Sequence, residues 1–177
     1  RLIGKIKNRR FTRAWQPLLP TLQGAEILPD RGGGAASSWL TGTYRGRPVF
    51  AQMTPDVGHG GTSDTAGYEN RWDTGLRDLT GGHDWSVQWS TAILGIGTTG
   101  WSFRSDDPAL AARLERSAVR ALADSLGRGR IAYSARARTL VLHQDIRPLW
   151  VPPPDRFRHE LDVLLRMADE VAPLNPP

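Results

Sequence analysis

Three of the four histidines and one aspartate are candidate ligands of a metal site. His59 and His83 flank a glycine-rich stretch, and His143 lies two residues before Asp145 in a segment with strand character. Imidazole nitrogens and carboxylate oxygens are ligands of zinc and iron. Their spacing matches no metal-binding motif, and polar loop residues or an exposed strand histidine explain them equally well. We therefore keep a metal-dependent hydrolase that uses these residues as an alternative function.

Motifs of catalysis and phosphate binding are missing from the sequence. It contains neither the G-x-S-x-G of a serine hydrolase nor a Walker loop. Residues 95–100 match the spacing G-x-G-x-x-G, but they lead into the strand-like residues 101–104, where a dinucleotide site needs a helix N-terminus. We interpret this segment as a turn. The sequence thus predicts no catalytic residues and no cofactor.

The composition narrows the class of protein further. The chain has 177 residues, 39% of them hydrophobic, and no cysteine. The lack of cysteine excludes a disulfide scaffold, a thiolate metal site and a cysteine nucleophile. The hydrophobic content predicts a globular domain with a real core, and no apolar run of about eighteen residues is present to span a membrane.

The positive charge is concentrated in a basic arm, residues 1–13. The arm contains no acid and six cations, which are Arg1, Lys5, Lys7, Arg9, Arg10 and Arg13. The other residues hold 17 of the 23 basic side chains and all 18 acids, a net charge of −1. A basic segment is attracted to anionic lipid, so we expect the arm to place the chain on the cytoplasmic face of a membrane. Nucleic-acid binding through the arm is a second alternative. Since the first residue is Arg1 rather than Met, we also expect native residues to precede it.

Residues 14–177 read as a single domain in which strands and helices are segregated. Residues 11–22 have helical spacing interrupted by Pro17 and Pro20, and residues 25–28 suit an edge strand. Residues 39–53 predict two strands around a turn at Arg45 and Gly46. Further strands are expected at residues 85–90 and 101–104, and a second hairpin at residues 130–134 and 139–146.

Two helices are predicted in the second half of the chain. One covers residues 108–126, because Asp107 and Pro108 suit its start and Gly127 its end. The other runs from about residue 155 to 172 and should bury an apolar stripe against the sheet, namely Phe157, Leu161, Leu164 and Ala168. The predicted fold is therefore α+β, an antiparallel sheet built from hairpins with helices packed on it, including a C-terminal helix.

A long excursion, residues 56–84, interrupts the strands. It contains seven glycines, and excursions of this length inside a domain are usually functional or disordered. Tyr68, Trp72, Leu76 and Leu79 recur at helical spacing, which predicts a short capping helix. We expect Tyr68, Arg71 and Trp72 to contact a partner, because Tyr, Trp and Arg dominate interface energetics. A self-packed lid explains the excursion equally well.

Three segments carry a resemblance to other proteins. Residues 40–49 (LTGTYRGRPV), 103–108 (FRSDDP) and 130–133 (RIAY) resemble a group of uncharacterised prokaryotic proteins. In that group a membrane-anchored N-terminal part precedes a soluble α+β domain of unknown function, and the likeness covers roughly residues 9 to 170. The resemblance implies no activity. Together with the basic arm, it favours a non-enzymatic binding or assembly domain that is membrane-proximal or part of a larger complex with a protein partner.

Overall fold

The strands form one antiparallel sheet, and the helices lie on one side of it. The computed structural model describes residues 13–28, 39–55, 70–90, 99–127, 129–146 and 150–177. The strands are β1 (Gln23–Leu28), β2 (Trp39–Tyr44), β3 (Arg47–Pro55), β4 (Asn70–Leu76), β5 (Trp85–Ser90), β6 (Gly100–Ser105), β7 (Arg130–Ser134) and β8 (Thr139–Ile146). The helices are a 3-10 helix (Gln16–Thr21), α1 (Pro108–Arg116), α2 (Val119–Leu126) and α3 (Pro154–Val171). The predicted α+β class with a C-terminal helix is confirmed.

The sheet has the strand order β1-β2-β3-β4-β8-β7-β5-β6, and every neighbouring pair is antiparallel. The predicted edge strand is β1, and both predicted hairpins are present as β2–β3 and β7–β8. The β2–β3 turn places Arg45 and Gly46 at φ 47° and 79°. Positive φ at both positions of a two-residue turn matches the twist of the paired strands, so the turn sets the hairpin register.

The predicted helix over residues 108–126 is two helices instead of one. Asp107 caps α1 as expected, because its carboxylate accepts a hydrogen bond from the Ala109 N–H at 2.9 Å. The break comes at Ser117, whose backbone is extended with ψ 177°. Its hydroxyl donates to the Leu114 carbonyl at 2.7 Å and accepts from the Val119 N–H at 3.2 Å. Ser117 thus satisfies backbone groups at the end of α1 and the start of α2, which makes the break stable.

The predicted capping helix near Trp72 is wrong, because residues 70–76 form the central strand β4. Trp72, Thr74 and Leu76 face the helices and have no exposed surface. Asp73 and Gly75, which lie between them, are also buried, so the segment lacks the alternation of buried and exposed residues that marks a half-exposed strand. Gly75 is required where it stands, since a Cβ there would lie 2.4 Å from the Phe50 ring.

The core lies between the sheet and the helices. Phe157, Leu161 and Leu164 of α3 are fully buried, which confirms the predicted apolar stripe, and Ala168 packs beside them with part of its surface exposed. Trp15 also enters the core, where its ring centroid lies 4.9 Å from that of Trp72. Burial of several such side chains, each stabilising by about 2 kcal/mol, holds the helices against one side of the sheet.

Candidate binding face

The described helices pack on one face of the sheet, and none of them packs on the other. Since successive strand residues point to opposite faces, the neighbours of buried core residues define this second side, which we call the helix-free face. One row of it across the strands is Trp39, Gln52, Asp73, His143, Arg130, Gln88 and Ser102. The adjoining row is Thr41, Phe50, Gly75, Val141, Ala132, Ser86 and Arg104. The face combines aromatic, polar and basic side chains.

A buried carboxylate organises the centre of the helix-free face. Asp73 is 4% exposed, and its Oδ1 lies 2.7 Å from Nδ1 of His143, its register partner on β8. Arg71 contacts the same carboxylate, with Nε 3.1 Å from Oδ1. The contact with Asp73 orients the imidazole, while the His143 side chain remains 26% exposed. The other ring nitrogen of His143 has no hydrogen-bond partner among the described residues, so it is free to meet a ligand.

An aromatic cluster occupies one end of the helix-free face. The rings of Trp39 and Phe50 have centroids 5.8 Å apart with planes tilted by 35°. The Arg77 guanidinium carbon lies 4.8 Å from the Phe50 centroid and 5.8 Å from that of Trp39. Phe50 is buried, whereas Trp39 and Arg77 are partly exposed. A flat ligand group can therefore stack at this end against the indole or the guanidinium.

Two adjoining depressions cover much of the helix-free face. The first is walled by the aromatic cluster and includes Gln52, Asp73 and His143. The second contains Arg104, Arg130 and Ser86. Both are lined by Thr139, Val141 and His143, so the oriented imidazole stands where they meet.

A second buried carboxylate, Glu160, lies on the helix-covered side. It is 1% exposed, and its oxygens accept hydrogen bonds from the Thr74 hydroxyl at 2.8 Å and Arg156 Nε at 3.2 Å. Gln144 completes the cluster when its amide nitrogen donates to Glu160 at 3.0 Å. Burial raises the pKa of Glu160, opposed by the hydrogen bonds from Thr74 and Arg156. These contacts join α3 to β4 and β8, and they give Glu160 a structural role.

The Asp73–His143 pair lacks, among the described residues, the further partners of a catalytic or metal site. An aspartate that orients a histidine is part of many catalytic sites, where the histidine then activates a nucleophile. In the described ranges, no serine, threonine or other side chain is bonded to the second nitrogen of His143. Nor do three His, Cys, Asp or Glu side chains converge on a metal position within those ranges.

The candidate metal ligands of the sequence occupy different places. His83 is about half exposed and its Nδ1 lies 3.3 Å from Asp106 Oδ1, while the His143 ring is engaged by Asp73. Asp145 is an exposed residue of β8. His59 lies outside the described residues. The structure therefore brings His143 together with an aspartate that the sequence analysis did not select.

The predicted partner contacts have mixed outcomes. The prediction that Trp72 contacts a partner is wrong, because Trp72 is fully buried and packs against Trp15 and Phe157. Arg71 is 48% exposed and lies on the helix-free face, and Arg13 is exposed. The remaining residues of that prediction lie outside the described ranges: Lys5, Lys7, Arg9, Arg10 and Tyr68.

Sequence reasoning missed the residues that organise both polar clusters. Asp73 and Glu160 belong to no motif, and one partner of each is distant in the chain: His143 for Asp73 and Thr74 for Glu160. The available signal was a charged residue between two core positions of one strand. Once residues 70–76 are read as a strand, Asp73 stands on the side opposite Trp72 and Thr74.

None of the helices in the described part of the chain has both the length and the apolar character that a membrane crossing requires. Comparisons with protein-family models, with curated proteins and with solved structures found no match to this chain.

Proposed function

We propose that this chain is a non-enzymatic binding or assembly domain that engages a component of a larger complex through its helix-free face. The observation that carries the proposal is the Asp73–His143 pair, in which a buried carboxylate orients a partly exposed imidazole. A side chain held in place by a buried partner binds with a small loss of conformational freedom. The side chains around this pair provide hydrogen-bonding, aromatic and cationic contacts.

Site-specific photo-crosslinking in the cells that produce the chain tests this proposal. A photoreactive residue at Gln88, exposed on the helix-free face, should give discrete cross-linked species. The same residue at Arg166, exposed on α3, is the matched control and should give none. Cross-links of equal yield from both positions, or from Arg166 alone, would contradict the proposal.

The membrane-proximal part of the proposal depends on the basic arm, residues 1–13. Sedimentation with vesicles containing phosphatidylserine should retain the whole chain and release a chain that lacks the arm. Each basic residue near an anionic surface contributes about 1 kcal/mol, and the arm has six of them. Equal retention of the two chains would remove the membrane from the proposal while leaving the helix-free face unaffected.

The metal-dependent hydrolase is the alternative function. It is less well supported because His83 and His143 each pair with a different aspartate. It predicts stoichiometric zinc or iron in the purified protein, which elemental analysis would detect. Finding such a metal would favour the alternative over the binding domain.

A further inference from the structure

We propose that the helix-free face binds single-stranded nucleic acid, with bases at the Trp39 end and phosphates at Arg104 and Arg130. This inference rests on the proposed binding function and names the chemical class of the component that is bound. Four features of the face carry it: two depressions that adjoin along β8, two arginines whose guanidinium groups have no partner among the described residues, an aromatic end and a polar row between them.

The two depressions adjoin along β8. Thr139, Val141 and His143 line both the aromatic depression and the basic one. In register, Trp39 pairs with Gln52, Gln52 with Asp73, Asp73 with His143, and His143 with Arg130. This row crosses five strands, so at about 4.8 Å per strand it is roughly 19 Å long. A ligand that contacts both ends must be extended, as a single strand is.

The basic end has two cations that are available to a ligand. Arg104 on β6 and Arg130 on β7 flank β5, are both exposed, and line the same depression. The guanidinium group of neither makes an ion pair or hydrogen bond with another described residue. By contrast Arg71 is held by Asp73, and Arg138 donates to the Leu79 carbonyl. Guanidinium groups without a protein partner suit phosphate, which they bind through paired hydrogen bonds.

Two carboxylates, Asp84 and Asp106, also line the basic depression. Asp84 accepts a hydrogen bond from the Ala135 N–H at 2.6 Å, and Asp106 contacts His83. Farther along β8, the exposed Asp145 is the register partner of Arg71, which opposes its charge. Among the described residues no ion pair joins these carboxylates to Arg104 or Arg130, so both guanidinium groups remain available to an anion.

The aromatic end provides a stacking surface. Trp39 is partly exposed, and Arg77 lies over Phe50 and Trp39, so a base can stack on the indole or on the guanidinium plane. Stacking on such surfaces contributes about 1–3 kcal/mol per base and tolerates any base. The Gln52 amide and the His143 ring lie between the two ends and can bond to base edges or phosphates. A single strand is favoured over a duplex, because only unpaired bases expose their faces.

Fluorescence anisotropy with a labelled oligothymidylate tests the inference on the full chain. The wild-type chain should bind at low salt, and the double variant Arg104→Gln/Arg130→Gln should bind about tenfold more weakly. Its plot of log affinity against log salt should be shallower by about 1.4, because each lost phosphate contact on a single strand removes about 0.7. The same oligonucleotide in a duplex should compete poorly.

Two matched double variants remove the same charge elsewhere. Arg120→Gln/Arg166→Gln lies on the exposed surface of α2 and α3. Arg9→Gln/Arg10→Gln lies in the basic arm and reports on binding through that segment. Neither variant should remove the contacts that the face makes with the oligonucleotide. Adding Arg104→Gln/Arg130→Gln to the arm variant should therefore weaken binding as much as it does in the wild-type chain.

The inference is overturned if the wild-type chain does not bind the oligonucleotide at low salt. It is equally overturned if Arg120→Gln/Arg166→Gln weakens binding as much as Arg104→Gln/Arg130→Gln does, or if Arg9→Gln/Arg10→Gln alone weakens it. A protein captured by cross-linking from Gln88 without any oligonucleotide binding would keep the binding function and exclude nucleic acid as its ligand.

Discussion

Two buried carboxylates on opposite sides of the same sheet have different surroundings. Asp73 lies on the helix-free face, and Glu160 lies on the side of α3 that faces the sheet, where it accepts a hydrogen bond from Thr74, the residue next to Asp73. Glu160 is bonded by Thr74, Arg156 and Gln144, which all belong to the contact between α3 and the sheet. Asp73 is bonded by Arg71 and His143, which both retain exposed surface.

The role of each buried carboxylate depends on whether the side chains bonded to it are enclosed by the fold or exposed at the surface. Beside Glu160, Thr74 and Gln144 are buried and used within the fold, and Arg156 is half-exposed, so the cluster attaches a helix to the sheet. The partners of Asp73 are oriented by it and retain exposed surface, as the proposed binding function requires. Substitutions on the two sides of the sheet test this difference, and the largest loss of stability is expected in the core.

Leu161→Asp should be the most damaging substitution on the helix-covered side. Leu161 is fully buried in α3, and an unpaired carboxylate there has no donor to replace water. We expect the free energy of unfolding to fall by about 4 kcal/mol in urea denaturation. The control Arg166→Gln, exposed on the same helix, should change it by no more than about 0.5 kcal/mol. A Leu161→Asp protein as stable as the control would show that α3 does not form part of the core.

Glu160→Ala and Asp73→Ala compare the two carboxylates directly. Glu160→Ala leaves the enclosed Thr74 and Gln144 without their acceptor, and we expect a loss of about 2 kcal/mol, since water can reach Arg156. Asp73→Ala leaves Arg71 and His143 to water, and we expect about 1 kcal/mol. Urea denaturation of both variants measures the difference. The reverse order of effects would contradict the structural role of Glu160.

The pH dependence of stability should distinguish Glu160 from an ordinary surface acid. Burial raises its pKa above the usual 4.5, so the folded state binds this proton more tightly than the unfolded state. The resulting stabilisation is fully present below 4.5 and is lost as pH rises through the folded pKa. Relative to Glu160→Gln, the wild-type chain should therefore gain stability on acidification. A constant difference between the two proteins across this range would exclude a raised pKa.

The parts of the fold that the sequence predicted share a local cause. The two hairpins follow from alternating strands around short turns, and α3 follows from an apolar stripe that recurs at helical spacing. The Asp107 cap and the positive φ of Gly127 likewise depend on neighbouring residues only. Such features are present in the folded chain because the tertiary contacts are compatible with the local preferences.

The errors arose where long-range contacts override local patterns. Trp72 and Leu76 have helical spacing, but they belong to a strand that pairs with β3 and β8 on both sides. Pairing on both edges and burial of both faces place this segment in the sheet. The break at Ser117 was hidden because Leu114 and Leu122 continue one apolar stripe across it.

By itself the sequence determined the α+β class, the hairpins, the C-terminal helix and the concentration of positive charge in residues 1–13, because these depend on periodicity, turn residues and composition. Only the tertiary structure decided that Asp73 meets His143, that Glu160 meets Thr74, and that Trp72 belongs to the core. Asp73 and His143 are 70 residues apart in the chain, and Thr74 and Glu160 are 86 apart. Their contacts follow from the strand order β3-β4-β8-β7 and from the placement of α3 on one face. No spacing within the sequence encodes them directly.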